Sequence, residues 1–327
     1  MTDKRHTAPI AVLGAGSWGT ALAIQFARSG KLTRLWSRDA KRLPAATADF
    51  PEALTTGTDL AAAVRGAQDV LVVVPSHGLR EVLAVLAPLL APRMRLAWAT
   101  KGFEPQSGQL PHQVARDILG GHRSLAVLSG PTFAREVRAG LPTAMTVASP
   151  DATFAAALAR DLSCENFRAY TSTDIVGVEV GGAVKNVLAI GAGLSDGLGF
   201  GANTRVALIT RGLVEMTRLG TALGARAETF MGLAGLGDLV LTSTDDESRN
   251  RRLGLLLAAG RTVEQARAQI GQVVEGVFAA KAVRGVAARE HVEMPLCAGL
   301  YQILYESRPA REVVRALMAR PIKPELE

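Results

Sequence analysis

The first half of the chain alternates short runs of apolar and β-branched residues with segments of helical periodicity. Six runs have the length of a strand: 10–13, 33–36, 69–74, 95–99, 124–128 and 143–148. The run at 69–74 is apolar almost throughout, which is typical of a central parallel strand covered on both faces. Segments 19–29 and 79–90 have helical spacing. This alternation predicts βαβ units and a mostly parallel sheet.

Helical periodicity dominates from about Val176, where strand-like runs disappear. Eight helices are predicted: 176–192, 203–218, 225–231, 246–259, 262–269, 278–290, 296–305 and 310–318. Asn203–Thr204 and Thr262 carry side chains that favour helix N-caps, and Gly220 and Gly260 favour helix ends.

The two patterns together predict an α/β chain of two domains. An N-terminal Rossmann-like, mostly parallel sheet is expected over residues 1–177. An all-helical C-terminal domain that binds substrate and carries out catalysis is expected over 178–327. A length of 327 residues is typical of two domains of ordinary size.

Composition argues against a membrane protein. Hydrophobic residues make up 48% of the chain, yet no uncharged apolar run reaches the roughly 20 residues that a span needs. The most apolar stretch, 176–200, is interrupted by Glu179, Lys185 and Asp196. Residues 1–6 contain no apolar signal core. We therefore expect a cytoplasmic protein without a membrane span.

Charge and cysteine content narrow the choice of ligand. The net charge is +7, but the basic residues are scattered and only 5% of residues are aromatic. A small anionic ligand is therefore favoured over nucleic acid. The two cysteines and five histidines show no ligand spacing, so no metal site is expected.

Lys185 is unusual because it lies among apolar residues of a predicted buried helix, including Val184, Val187 and Leu188. Burial can lower the pKa of a lysine toward neutrality, whereas arginine stays charged. Lys185 is therefore a candidate general acid and base. The alternative is that its ammonium group reaches solvent along the helix surface.

A glycine-rich loop follows the first predicted strand. In Gly14-x-Gly16-x-x-Gly19, Gly14 permits a tight turn, Gly16 permits close approach of a pyrophosphate and Gly19 permits close helix packing. Because the loop lies between a strand and a helix at the start of a βαβ series, it predicts a dinucleotide site at the helix N-terminus.

The choice between NADP(H) and NAD(H) depends on the end of the second predicted strand. Ser37 and Arg38 come first there, with Arg34 and Arg42 nearby, and an arginine suits the 2′-phosphate of NADP(H). Asp39 follows directly and would suit the ribose hydroxyl of NAD(H). NADP(H) is therefore preferred, and NAD(H) stays possible.

Seven sequence blocks in this order resemble the NAD(P)-dependent glycerol-3-phosphate dehydrogenase family, specifically its bacterial soluble branch. They are Gly14–Ala23, Val74–His77, Thr100–Glu104, Ser129–Ala134, Val178–Asn186, Gly235–Leu239 and Ser248–Arg251. The resemblance covers nearly the whole chain. It implies reversible reduction of dihydroxyacetone phosphate to sn-glycerol 3-phosphate with NAD(P)H, a role in supplying phospholipid synthesis, and a homodimer.

The resemblance also implies roles for particular residues. Lys185 corresponds to the catalytic lysine and Lys101 to a second lysine that contacts substrate and helps to lower the pKa of Lys185. Asp238 becomes a carboxylate that orients Lys185 or stabilises its charged form, the alternative being a structural cap. Thr242 adds a hydroxyl to the same network. His77 is expected to be a neighbour of the nicotinamide rather than the base.

Binding residues follow in the same way. The implied substrate contacts are Lys101, Gly130, Thr132, Lys185, Asp238, Ser248, Arg249 and Asn250. The implied cofactor contacts are Gly14, Gly16, Ser17, Trp18, Gly19, Arg38, Lys101, Ala134, Arg249, Val273 and Glu275. Arg251 and Arg252 are interpreted as a solvated helix face. The acidic run 245–247 is expected either to weaken phosphate attraction or to face solvent.

Two other functions stay open. One is a dehydrogenase of the same two-domain plan that acts on a β-hydroxy acid. The other is an NAD(P)H-sensing protein without catalysis. The cations Lys101 and Arg249, with Asn250 beside them, favour a phosphorylated substrate over the first, and the intact set of catalytic residues argues against the second.

Overall fold

The computed structural model describes residues 8–43, 50–322 and 324, and the chain forms two compact units. The first contains the described residues up to Thr100 together with Pro111–Ile175, and the second contains Lys101–Leu110 and the described residues from Val176 onward. The sequence had placed 101–110 in the N-terminal domain. The segment groups with the second unit because Phe103 and Leu110 pack into its hydrophobic core.

The first unit is built on one eight-stranded sheet. Its strands are β1 (Ile10–Leu13), β2 (Thr33–Trp36), β3 (Leu54–Gly57), β4 (Asp69–Val72), β5 (Arg95–Trp98), β6 (Leu125–Ser129), β7 (Thr143–Ala148) and β8 (Phe167–Ser172). Their order is β3-β2-β1-β4-β5-β6-β7-β8, and every neighbouring pair is parallel except β6 and β7. The predicted mostly parallel sheet is confirmed.

Strand β1 pairs with both β2 and β4, so the strand order reverses beside it. Ile10 faces Thr33 on one side and Asp69 on the other. In an open parallel sheet, ligands bind beyond the carboxyl ends of the strands at such a switch point. The loop that follows β1 is therefore the expected ligand site, and it is the glycine-rich loop.

Among its described residues, the first unit also contains six α-helices: α1 (Ser17–Arg28), α2 (Leu60–Val64), α3 (Leu79–Leu86), α4 (Pro111–Leu119), α5 (Ala134–Ala139) and α6 (Ala152–Leu162). Helix α1 begins two residues before the predicted start. Strands β3 and β8 were not predicted, because they carry exposed or half-buried polar residues such as Thr55 and Arg168 rather than a continuous apolar run.

The second unit is helical, as predicted. Its helices are α7 (Ile175–Gly197), α8 (Gly201–Ala222), α9 (Asp238–Thr244), α10 (Arg249–Ala258), α11 (Val263–Ile270), α12 (Glu275–Arg289), α13 (Pro295–Tyr305) and α14 (Ala310–Met318). Helix α9 was not predicted, because glycines precede it. The sequence placed Asp238 between turns, whereas Asp238 begins this helix after a π-helical turn at Leu233–Gly237.

Helix ends confirm some of the predicted caps and correct others. Thr262 forms a full capping box with Gln265 at the start of α11. The predicted N-cap at Asn203–Thr204 is wrong, since α8 begins at Gly201 and the Thr204 hydroxyl donates to the Phe200 carbonyl. Gly220 does not end α8 either. It lies inside the helix, where the ring of Phe230 packs against it.

Helix α7 forms the centre of the second core. Val184, Val187 and Leu188 are fully buried. By length and composition α7 could cross a membrane, but 94% of its most apolar 18-residue window is buried inside the protein. Its apolar character is therefore explained by packing within the second unit.

A buried carboxylate joins α8 to α13. Glu215 is 3% exposed and accepts backbone N–H groups from Leu296 (2.7 Å) and Cys297 (3.1 Å) at the start of α13. Burial raises the pKa of Glu215 from 4.5 to about 7, although these two hydrogen bonds favour the ionised form. The thiol of Cys297 also has a raised pKa, chiefly through burial and also through Glu215.

The raised pKa of Glu215 predicts a pH-dependent stability. The stabilising contribution of its protonated form is fully present below pH 4.5 and is lost as pH rises through about 7, at a cost of about 3 kcal/mol. Glu215→Gln removes the ionisation but keeps an acceptor. As pH rises from 5 to 8, the unfolding free energy of the Glu215→Gln variant should therefore fall less than that of the wild type in urea titrations.

Glu228→Gln is the matched control, because the Glu228 side chain is 74% exposed. That variant should follow the wild-type pH dependence. Parallel curves for Glu215→Gln and the wild type would contradict the assignment.

Candidate active site

The glycine-rich loop has the geometry that a bound dinucleotide requires. Gly14 has φ +119°, and a Cβ added there would lie 2.3 Å from the Val73 carbonyl oxygen. A Cβ on Gly19 would lie 1.8 Å from the Gly14 oxygen. Both positions therefore exclude a side chain. A Cβ on Gly16 would meet no protein atom within 4 Å, so the space beside Gly16 is open to a ligand.

The start of α1 is suited to an anion. Gly16 caps the helix without a side-chain hydrogen bond, and no acidic residue lies in the first turn. The N-terminal N–H groups and the positive end of the helix dipole are thus available to a phosphate. Ser17 and Ala134, both predicted cofactor residues, line one pocket together with Arg135, Arg138 and Ala139. Neither arginine was predicted from the sequence as a lining residue.

The end of β2 leaves Arg38 accessible. Its side chain is 84% exposed and lies 3.4 Å from the Glu81 carboxylate. Asp39 instead uses one carboxylate oxygen to accept the Lys41 N–H (2.9 Å), which starts the turn at Ala40–Arg42. The Asp39 carboxylate is therefore partly committed to this turn, whereas the Arg38 guanidinium is largely in solvent.

The segment after β6 brings three predicted binding residues into one loop. Gly130 has φ +151°, and an added Cβ would lie 3.0 Å from the Met145 Cα. The Thr132 hydroxyl donates to the Gly130 carbonyl (3.2 Å), and Ala134 begins α5. Close packing of the loop against β7 thus accounts for the glycine.

The second unit contains a compact buried cluster around Asp238. One Asp238 oxygen accepts Lys185 Nζ at 2.7 Å, and the other accepts Lys101 Nζ at 2.6 Å. Lys185 Nζ also donates to the Thr242 hydroxyl at 2.8 Å. The side chains of Lys185 and Asp238 are 8% and 2% exposed. The structure therefore joins these four residues by hydrogen bonds, and their catalytic roles stay predictions.

Local packing explains why Asp238 meets Lys185. Gly181 lies one helical turn before Lys185 on α7, hence on the same face. A Cβ on Gly181 would lie 2.4 Å from the Ala234 carbonyl oxygen. The glycine therefore lets the π-helical turn at Leu233–Gly237 touch the backbone of α7. Asp238, the first residue of α9, directly follows that turn.

Within this cluster, the pKa of Lys185 is lowered from 10.5 to about 8. Burial is the main cause, because it penalises the ammonium form. Asp238 opposes this shift, whereas the positive charges of Lys101 and Arg249 add to it. Burial alone would raise the pKa of Asp238, but Lys101 and Lys185 hold it below its usual value. Lys185 can therefore gain and lose a proton near neutral pH.

The start of α10 is tied to the helix that carries Lys185. Ser248 caps α10 by accepting the Arg251 N–H (3.2 Å). The Asn250 amide donates to Asn186, the residue after Lys185, and its oxygen accepts the Gly276 N–H, both at 2.9 Å. Asn186 was not predicted as a site residue, because only the fold shows that its side chain contacts α10.

Arg249 and the start of α12 form the remaining part of the predicted set. Arg249 is exposed, lies 3.5 Å from the Gln272 side chain and interacts electrostatically with Glu275. Val273 and Glu275 are half-buried. The structure therefore brings Arg249 and Glu275 together, and cofactor binding by these residues stays a prediction.

One expectation about charge is wrong. Arg251 is not on a solvated face: it is 8% exposed and pairs with Asp196 (2.5 Å) and Asp246 (2.8 Å). The acidic run largely faces solvent, which was one of its two expected roles: Asp245 and Asp246 are exposed, although Asp246 also pairs with Arg251 and Asp245 accepts the Glu247 N–H. Arg252 is exposed, as predicted.

His77 lies in the first unit, on the 3₁₀ turn Ser76–Gly78, and is exposed. Its place beside the nicotinamide stays a prediction. Among the residues that the structure describes, no group of three His, Cys, Asp or Glu side chains could hold a metal ion.

The electrostatic dependence of the cluster is testable with Asp238→Asn. This change removes the counter-charge of both lysines, so Lys185 must either stay charged while buried or lose its proton, and the unfolding free energy should fall by about 3–5 kcal/mol in urea titrations at pH 7. The double variant Lys101→Met with Asp238→Asn should recover part of this loss, because one positive charge is removed. Equal stability of the single and double variants would contradict the electrostatic explanation.

Comparison with known proteins agrees with this geometry. Two family models match: the N-terminal domain of NAD-dependent glycerol-3-phosphate dehydrogenase over residues 9–155, and its C-terminal domain over residues 174–315. Two bacterial relatives are named glycerol-3-phosphate dehydrogenase (NAD(P)+). That of Tolumonas auensis is 54% identical, covering 97% of this chain and 98% of the relative. That of Aeromonas salmonicida is 56% identical, covering 95% and 97%.

A solved structure gives the same result. The crystal structure of glycerol-3-phosphate dehydrogenase from Coxiella burnetii is 45% identical, with a TM-score of 0.91 over 96% of this chain and 99% of that one. The two family models together cover both units. The chain therefore belongs to the NAD-dependent glycerol-3-phosphate dehydrogenase family.

Proposed function

We propose that this chain reversibly reduces dihydroxyacetone phosphate to sn-glycerol 3-phosphate with NAD(P)H. The observation that carries the proposal is the buried lysine Lys185, held 2.7 Å from Asp238 with a pKa of about 8. An amine with this pKa suits proton exchange with a ketone or hydroxyl oxygen at working pH. Family membership supplies the reaction class.

The cofactor site fits residues of the first unit. Gly14, Gly16 and Gly19 with the start of α1 would hold the pyrophosphate, and Ser17, Trp18 and Ala134 would line it. When bound, the reduced nicotinamide supplies the hydride that the ketone carbon accepts. The cofactor contacts proposed from the second unit are Lys101, Arg249, Val273 and Glu275.

Lys185 supplies the proton in the direction of reduction. Its ammonium donates a proton to the ketone oxygen as the carbon accepts hydride, and the neutral amine remains. In the direction of oxidation the neutral amine accepts the hydroxyl proton. Asp238 and Thr242 orient the Nζ atom throughout, because both accept hydrogen bonds from it. Asp238 also keeps the charged form accessible despite burial.

The phosphate of the substrate is matched by positive charge in the second unit. Lys101, Lys185 and Arg249 carry three positive charges, whereas Asp238 contributes one negative charge to the same cluster. Arginine offers a planar pair of donors to phosphate. We assign phosphate binding to Arg249 and Asn250, with Ser248 capping their helix. Gly130 and Thr132 are the proposed substrate contacts from the first unit.

NADP(H) is the proposed preferred cofactor. Arg38 is exposed at the end of β2 and can meet a 2′-phosphate, while the Asp39 carboxylate accepts a backbone hydrogen bond in the adjoining turn. NAD(H) remains the second choice. We also propose a cytoplasmic homodimer that supplies glycerol phosphate to phospholipid synthesis, and this part rests on the family resemblance.

The function is tested by following NADPH and NADH oxidation with dihydroxyacetone phosphate and with unphosphorylated dihydroxyacetone. We expect kcat/KM to be at least about 1,000-fold higher with the phosphate, because a site built for a charged group rejects an analogue that lacks it. The kcat/KM measured with NADPH should exceed the value measured with NADH. Comparable rates with both ketones, or faster reduction of a β-keto acid, would favour the alternative dehydrogenase. NADPH binding without oxidation would indicate a sensor.

The pKa of Lys185 gives a separate prediction for pH profiles. Oxidation of glycerol 3-phosphate requires the neutral amine, so its kcat/KM should rise with pH through about 8. Reduction requires the ammonium and should fall over the same range. Measurements above pH 7 avoid titration of the substrate phosphate, whose second pKa is about 6.

Two variants accompany the profiles. Lys185→Ala should lose almost all turnover in both directions while still binding NADPH, as measured by nucleotide fluorescence. His77→Ala should retain substantial turnover and the same pH dependence. If instead His77→Ala abolished turnover and Lys185→Ala did not, the assignment of the base would be wrong.

A further inference from the structure

An ion-pair cluster around the buried side chain of Arg251 lies two residues beyond Arg249 and is separate from the cluster around Asp238. The Arg251 side chain is its centre. Arg251 Nη1 donates to Asp196 (2.5 Å) and to the Ser243 carbonyl (3.3 Å), and Nε donates to Asp246 (2.8 Å). Asp196 also pairs with Arg205 of α8 at 2.8 Å.

The three partners of Arg251 belong to three different segments. Asp196 lies near the end of α7, the helix that carries Lys185. Ser243 lies near the end of α9, the helix that begins with Asp238. Asp246 lies in the loop between α9 and α10. One guanidinium group therefore connects both helices of the catalytic cluster to the helix that begins with Arg249.

Backbone packing fixes how closely α10 approaches α7. A Cβ on Gly193 would lie 2.0 Å from the Arg251 carbonyl oxygen, and one on Gly254 would lie 2.1 Å from the Ile190 oxygen. The two helices thus touch at their backbones. Such contact sets their separation, whereas the hydrogen bonds of Arg251 set how the first turn of α10 and the preceding loop are oriented.

The energetic cost of this cluster indicates a role beyond stability. Burying an arginine is unfavourable unless it is paired, and replacement of a buried ion pair by apolar residues is often neutral or stabilising. Here Asp196 and Asp246 outweigh the burial and raise the pKa of Arg251. Apolar residues in this place could not form the hydrogen bonds by which Arg251 orients Asp246 and the Ser243 carbonyl.

We propose that Arg251 is a positioning residue that holds Arg249 and Asn250 at the start of α10 in the orientation that binds the substrate phosphate. The proposal rests on the proposed function, in which these two residues bind that phosphate. Arg251 acts through them and through the loop that ends at Ser248, whose side chain accepts the Arg251 backbone N–H.

The test compares Arg251→Met with Arg205→Met. Arg205 pairs with the same Asp196 oxygen but lies on α8, so its loss removes a similar charge without releasing α10. Arg251→Met should raise the KM for dihydroxyacetone phosphate by about 10- to 100-fold, the effect of displacing a binding group by roughly 1 Å, and change kcat less. Arg205→Met should stay within about 3-fold of the wild type. Arg251→Lys should recover part of the loss.

Two further readouts separate positioning from general damage. The Kd for NADPH, measured by nucleotide fluorescence, should change far less than the KM for dihydroxyacetone phosphate in Arg251→Met, because Arg249 is only one of several proposed cofactor contacts. Its kcat/KM with unphosphorylated dihydroxyacetone should also match the wild type, because that ketone has no phosphate to misplace. An unchanged KM for dihydroxyacetone phosphate, or equal loss with both ketones, would overturn the proposal.

Asp246→Asn keeps the test decisive if Arg251→Met does not fold. The Asp246 side chain is 70% exposed, so its replacement removes one hold on Arg251 without opening the core. It should raise the KM for dihydroxyacetone phosphate in the same direction by a smaller factor, and an unchanged KM would contradict the proposal. Wild-type protein that does not reduce dihydroxyacetone phosphate would instead refute the proposed function itself.

Discussion

The chemistry of this protein depends on one ammonium group kept out of water beside one carboxylate. Burial alone would drive the proton from Lys185, and Asp238 restores enough stability to the charged form to leave the pKa at about 8. Neither residue would serve in isolation. A solvated lysine would stay protonated, and a buried lysine without Asp238 would have a still lower pKa.

Packing within the second unit keeps Lys185 and Asp238 in place. Helix α7 is buried along most of its length, so the position of Lys185 is set by core packing rather than by solvent. Gly181 admits the backbone that leads into Asp238, and Lys101 reaches the second oxygen of the same carboxylate. The carboxylate therefore has a partner on each oxygen and little freedom to move.

Charge is organised differently in the two units. The first unit offers backbone N–H groups and a helix dipole at its glycine-rich loop, which suit a pyrophosphate, and Arg135 and Arg138 line the same pocket as Ser17. The second unit uses side-chain cations around Asp238, and a separate cluster around Arg251 orders the helix that carries Arg249. Lys101 adjusts the pKa of Lys185, whereas Arg251, which lies outside that cluster, holds neighbouring segments in position.

Local sequence was sufficient wherever neighbours in the chain determine structure. The alternation of apolar runs predicted the parallel sheet, glycine spacing predicted the loop after β1, and Thr262 predicted a helix N-cap, because each depends on residues a few positions apart. The apolar surroundings of Lys185 likewise marked it as a candidate acid and base. Other outcomes depended on tertiary contacts: Lys101 joining the second unit, the burial of Arg251, and the capping of α13 by Glu215. The contacts of Arg251 with Asp196, of Glu215 with Leu296 and of Lys101 with Asp238 join residues 55, 81 and 137 positions apart. Local periodicity carries no information about which distant charge will face another.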